Sequence, residues 1–177
     1  MDVVDKIAIH FAETIHKNAK ESSSVAVLKY AIAAVLNFLV FFLIVTFICS
    51  VTGHFIDGLI ASLAFPALRY FSGGFHLKSA TACNVISAAL VLLAVLTPIG
   101  WNWWIVLLAA TILAFTAPNN VKRSKLPAKY YPVLKIIAVG IVLSNFIFHS
   151  DVLAKVFLLQ SLTTLGVFQK ILDGYKF

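Results

Sequence analysis

The chain has 177 residues, 61% hydrophobic and only 12% charged, with a mean hydropathy of +0.97. A soluble domain of this length keeps too high a surface-to-volume ratio to hide so much apolar surface, so the composition points to a polytopic membrane protein. The formal net charge of +7 does not indicate a nucleic-acid partner, because the basic residues form no tail or stripe. They fall in short loops between apolar runs, as the positive-inside rule requires.

Residues 1–24 read as an amphipathic N-terminal helix. Val3, Val4, Ile7, Phe11 and Ile15 recur near the 3.6-residue period, while Asp2, Asp5, Lys6, Glu13 and Lys17 mark the opposite face. Such a helix lies at a membrane surface or packs against a bundle. It is not a signal peptide, since Asp2, Asp5, Glu13 and Glu21 interrupt it and no continuous apolar core or clear cleavage site is present. The run Glu21-Ser22-Ser23-Ser24 ends the pattern.

Six apolar segments follow, at 28–52, 55–70, 80–98, 103–118, 133–149 and 152–168. The first is ample for a span; several others sit at or below the ~17–25 residues a crossing usually takes. They span by local thinning or by shelter inside the bundle, or else four full spans carry re-entrant pieces. With the N-terminus inside, the loops 69–79 and 119–132 and the C-terminal tail hold Arg69, Lys78, Lys122, Arg123, Lys125, Lys129, Lys170 and Lys176. The opposing connections near Gly53-His54, Pro98–Gly100 and Ser150-Asp151 hold no lysine or arginine. Charge therefore favours six spans with both termini cytoplasmic. Trp101, Trp103 and Trp104 read as an aromatic anchor at an outer boundary. The fold class is all-α: one integral-membrane domain over 1–177, with a transmembrane bundle at 28–168.

The stretch 69–83, RYFSGGFHLKSATAC, places an arginine, a glycine pair, a histidine and a cysteine at a membrane edge, where polar residues are costly and functional by default. Cys83 is the candidate nucleophile and His76 the candidate base. A free thiol is mostly protonated at neutral pH, and a neighbouring histidine or a helix N-terminus favours the thiolate. Ser79 and Thr81 are the candidate N-caps of the helix that starts near residue 80. On one continuous helix His76 and Cys83 would stand about 10.5 Å apart at ~1.5 Å per residue, too far for direct proton transfer. The chain must therefore turn between them, and Gly73-Gly74 supplies the backbone freedom. His76 is expected in a loop or separate short helix, and Cys83 at the start of the third span.

Asp57 lies at the far end of the second segment and is a poor orienter for His76; Asn84, Asn119 and Asn120 remain open for that role. Backbone N–H groups near Gly74 or Cys83 are the candidate oxyanion donors. Cys49, deep in an apolar run, reads as a small hydrophobe. His10, His16, His54 and His149 are too dispersed for a metal site, and no cofactor, phosphate loop or nucleic-acid module is indicated.

RYFSGGFHLKSATAC resembles the signature of AgrB, the membrane peptidase of accessory-gene-regulator quorum sensing: an Arg, then Gly-Gly-x-His, then a Cys seven residues on. TAPNNVKRSKLPAKYYP at 116–132 resembles that family's Ala-Pro turn and basic, proline-containing cytoplasmic loop. The resemblance implies a cysteine endopeptidase of the bacterial cytoplasmic membrane that trims the C-terminal part of an AgrD-like precursor peptide. Cys83, assisted by His76, would form an acyl-enzyme thioester that an internal cysteine of the precursor converts to a thiolactone, or a serine to a lactone. By position in the motif, Arg69 and Gly74 carry over as functional residues, with Gly73 beside them. Arg69 is read as binding a substrate carboxylate, and Lys122, Arg123 and Lys125 as attracting an acidic precursor tail. A homodimer is the expected assembly. The alternatives are a small peptide transporter or channel, and a non-catalytic membrane adaptor; sparse polar residues in the spans (Asn37, Ser62, Asn145, Gln160) argue against the first.

Overall fold

The computed structural model describes residues 3–19, 23–75, 79–119 and 127–166. These are helical almost throughout: α1 (Val3–Asn18), α2 (Val25–Val51), α3 (Phe55–Ser72), α4 (Ala80–Leu96), α5 (Trp103–Thr116), a 3-10 turn (Ala128–Tyr130), α6 (Tyr131–Leu143), α7 (Asn145–Phe148) and α8 (Asp151–Thr163). Each of the six apolar segments read from the sequence contains a helix. By length and composition, however, two helical stretches among the described residues suffice to cross a membrane: Val25–Val51 and the nearly continuous Ala128–Phe148. The stretches Thr81–Leu96 and Trp103–Thr116 are apolar but shorter. Their ends are set by capping rather than by polarity. The Ser79 hydroxyl accepts from Ala82 N–H and the Asn102 carbonyl from Trp104 N–H, satisfying amides that open a helix.

The expected N-terminal helix is present, and its small residues rather than its large apolar ones meet the bundle. α1 packs on α2 through the small, fully buried Ala8 and Ala12, while Val3, Ile7, Phe11 and Ile15 are exposed. Small residues admit close helix approach, so the apolar stripe is left facing outward. Asp5 ties α1 to Lys29 of α2 at 3.4 Å.

α8 forms the centre of the bundle, with Val152, Ala154, Val156, Phe157, Gln160 and Ser161 all buried against α3, α4 and α5. At its start the buried Lys155 donates to the Thr97 carbonyl at 2.7 Å and pairs with Asp151 at 3.5 Å. Trp101 meets His149 and Phe146 edge to face at the same end, while Trp103 and Trp104 are exposed as a stacked aromatic pair. The other end of α8 meets residues 72–75 and 116–119. The connections thus sort to two ends of the bundle, 97–101 with 146–155 and 72–75 with 116–119. Cys49 is fully buried where α2 crosses Gly58 of α3, the packing role expected of it.

Candidate active site

Two helix ends and a turn build the site. α3 stops at Ser72 because Gly73 takes φ +71° and ψ −146°, a conformation an L side chain rarely adopts. The turn is clamped from two sides. Asn119 N–H donates to Ser72 O at 3.0 Å and Gly74 N–H to Asn119 O at 3.3 Å, a short parallel bridge between the two sequence motifs. A Cβ on Gly73 would collide with that Asn119 carbonyl, and one on Gly74 would stand 2.7 Å from Thr163 Oγ1.

From α8, the buried Gln160 donates its amide to Ser72 Oγ at 3.0 Å and to Gly73 O at 2.7 Å. Thr163 O accepts from Phe75 N–H at 3.1 Å, and Asn119 Nδ2 donates to Thr164 O at 2.5 Å. Buried polar groups are tolerated when paired in this way, and the outcome is a turn with little freedom to move.

α4 begins after the turn, so residues 70–90 are not one helix. Cys83 is its fourth residue, half-buried, with its N–H bonded to Ser79 O at 3.1 Å. Ser79, one of the two expected caps, caps the helix, and the thiol stands over an N-terminal turn whose dipole favours negative charge. Arg69, in the last turn of α3, reaches across to it: Nη2 donates to Phe75 O at 2.6 Å and lies 3.7 Å from Cys83 Sγ. The guanidinium rests between the Phe65 and Phe75 rings, 5.9 and 5.5 Å from their centroids, a cation–π arrangement. Its Nη1 is buried and has no hydrogen-bond partner among the described residues.

The geometry gives several of these groups partners within the chain. Arg69 turns inward to the thiol and the Phe75 carbonyl, because its α3 position and the flanking rings direct it into the bundle. The backbone N–H groups of Gly74 and Cys83, the expected oxyanion donors, are already committed to Asn119 and Ser79. Asn84 donates to Asn37 Oδ1 at 2.9 Å and Asn119 to Thr164, so both amides have other work. His76, Asn120, Lys122, Arg123 and Lys125 lie outside the described residues. Among the described residues no cluster of three or more His, Cys, Asp or Glu could hold a metal ion.

Beside the thiol lies an open pocket of about 140 Å³, lined by Asn37, Phe38 and Phe41 of α2, Phe65, Pro66 and Arg69 of α3, and Cys83, Asn84 and Ser87 of α4. A family model described as Accessory gene regulator B matches residues 5–172. The chain belongs to the accessory gene regulator B family. Comparison with curated proteins and with solved structures gives no match. Both AgrB-like motifs, 69–83 and 116–132, fall inside the matched range, and Asn119 of the second exchanges backbone hydrogen bonds with Ser72 and Gly74 of the first.

The sequence reading missed Gln160, Thr163 and Phe75, and the pairing of Asn37 with Asn84. A signal for Gln160 and Asn37 was available: a carboxamide in an apolar helix is expensive enough to need a partner. The carbonyls of Phe75 and Thr163 have no such signal, since any residue supplies one.

Proposed function

We propose that the protein is a membrane cysteine endopeptidase that cleaves a small AgrD-like precursor peptide on the cytoplasmic side and cyclises it through an acyl-enzyme thioester. The observation that carries this reading is the Arg69–Cys83 contact of 3.7 Å at the capped start of α4. A cation and a helix N-terminus converge on one sulfur, the setting in which reactive cysteines are found.

In this mechanism Cys83 Sγ attacks the scissile carbonyl and its proton passes to His76. The sulfur–carbon bond forms and charge collects on the carbonyl oxygen, for which Arg69 Nη1 is the available donor. As the carbon–nitrogen bond breaks, His76 returns the proton to the leaving amine, and the C-terminal fragment departs. A precursor cysteine then attacks the thioester, releasing Cys83 and closing a thiolactone; a serine gives a lactone. Thioester exchange conserves bond energy, and a water-poor setting favours cyclisation over hydrolysis.

The same proposal holds the chain as one membrane domain with six spans and both termini in the cytoplasm, α3–α5 and α8 being short spans sheltered by their neighbours. Lys122, Arg123 and Lys125 then face the cytoplasm and attract an acidic precursor tail; reversing their charges is expected to weaken precursor binding, and unchanged binding would leave them a topological role. A homodimer is the proposed assembly. The transporter alternative gains no support from the span polar groups: Asn37 pairs with Asn84, Ser62 with Leu59 O, Asn145 with Ser150, and Gln160 with the Gly73 turn.

The test is purified protein in lipid bilayers with its co-encoded precursor, comparing wild type, Cys83→Ser and His76→Ala by mass spectrometry. A released C-terminal fragment that depends on both side chains is expected. Equal processing by folded Cys83→Ser would remove the thiol mechanism.

A further inference from the structure

The pocket beside Cys83 is mostly apolar. Pro66, inside α3, lines it next to Phe65. Phe41 stacks on Phe65 at 6.0 Å and 29°, forming an aromatic wall, while Phe38 is partly exposed at 37%. Ser87, small and buried, leaves the α4 side open. The polar groups bordering the space are already occupied in part: Asn84 bonds to Asn37, and Arg69 Nη2 to Phe75 O.

Space of about 140 Å³ is far below the ~300–1,000 Å³ of sites that enclose whole small molecules. It is close to the roughly 150 Å³ apolar cavity known to take up a benzene ring. One side chain fills it; a whole ligand does not. Because Cys83 Sγ is itself part of the wall, a side chain seated there belongs to a residue whose backbone passes the sulfur.

We infer that the Phe38–Phe41–Phe65–Pro66–Ser87 pocket is a specificity subsite that seats a large apolar side chain, branched or aromatic, on the residue whose carbonyl Cys83 attacks. The inference rests on the peptidase reading and adds to it the chemical class of the residue at the cleavage point. It also divides the labour at the site. The aromatic pocket holds the side chain, leaving Arg69 Nη1 for the carbonyl oxygen instead of a substrate carboxylate. In an apolar pocket a single methylene is worth ~10–200-fold in kcat/KM, so shortening leucine to alanine is expected to cost at least about tenfold.

The experiment uses N-acetyl-aminoacyl chloromethyl ketones bearing leucine, phenylalanine, alanine or aspartate side chains, with the full-length protein in lipid bilayers. Cys83 sulfur displaces chloride from the methylene carbon, a carbon–sulfur bond replaces carbon–chlorine, and the thiol proton leaves to base. Labelling of Cys83 is read by mass spectrometry as a rate for each probe. The leucine and phenylalanine probes are expected to react at least tenfold faster than alanine. Ser87→Phe, which fills the pocket, is expected to shift preference towards alanine. Phe41→Ala, which enlarges it, is expected to shift preference towards phenylalanine. Opposite shifts in two variants cannot come from misfolding.

Equal rates for all probes on wild type would overturn the subsite. Fastest labelling by the aspartate probe would overturn it too, and would make Arg69 a carboxylate binder. Failure of the broader reading looks different: precursor processing would then survive Cys83→Ser, whereas a missing subsite leaves processing dependent on Cys83 but indifferent to pocket size.

Discussion

Replacing Arg69 with glutamine removes the positive charge beside Cys83 while keeping a planar side chain. Arg69 Nη2 stands 3.7 Å from Cys83 Sγ and Nη1 is buried without a partner among the described residues, so glutamine, shorter and neutral, leaves a developing oxyanion without that donor. Losing one such donor costs roughly 100- to 1,000-fold in kcat, and a fall of that size in the rate of precursor cleavage, read by mass spectrometry at saturating precursor, is the expected outcome. Arg69→Lys keeps the charge but loses the fork that reaches both the Phe75 carbonyl and the thiol, so partial recovery is expected. A cleavage rate for folded Arg69→Gln within twofold of wild type would refute the reasoning, because the guanidinium would then be a structural tie to Phe75 alone.

Gly73→Ala meets both the positive φ and the Asn119 carbonyl. The backbone term of ~1–3 kcal/mol, with the loss of one turn hydrogen bond at about 0.5–1.5 kcal/mol, is expected to lower the thermal midpoint in detergent and to abolish precursor cleavage; a midpoint equal to wild type would show that the turn relaxes freely. Ser79→Ala removes the α4 cap and is expected to cost about 0.5–2 kcal/mol, with slower alkylation of Cys83 as the first turn frays; unchanged alkylation would mean that the helix start is held by other contacts. A double-mutant cycle of Asn37→Leu and Asn84→Leu, read by denaturant titration in detergent, is expected to give a coupling near ~0.6 kcal/mol and below ~1.7 kcal/mol. Zero coupling would mean that the 2.9 Å bond does not form in lipid.

The helices were legible because apolar runs and caps are local. The 55–70 run became Phe55–Ser72, and of the two candidate caps Ser79 is the one that opens α4. The number of membrane crossings was less legible, since α4 and α5 are too short to be assigned by length and depend on neighbours that a linear sequence does not place. Cys83 and Arg69 stood out as polar residues at an apolar edge, yet fourteen positions of separation concealed that they touch. Gln160 appeared only as a sparse polar residue of the last helix; its role depends on α8 running through the centre of the bundle to the Gly73 turn. The pocket was invisible for a similar reason. Phe38, Phe41 and Phe65 are ordinary lipid-compatible residues one by one, and only the crossing of α2, α3 and α4 makes them a wall.

The most direct measurement of the central claim is intact-protein mass spectrometry of the enzyme trapped soon after mixing with its co-encoded precursor. The expected result is an adduct on Cys83 equal in mass to the precursor less its C-terminal fragment, lost on hydroxylamine treatment and absent from Cys83→Ser. Release of the fragment with no adduct at any time, and undiminished in Cys83→Ser, would contradict the account.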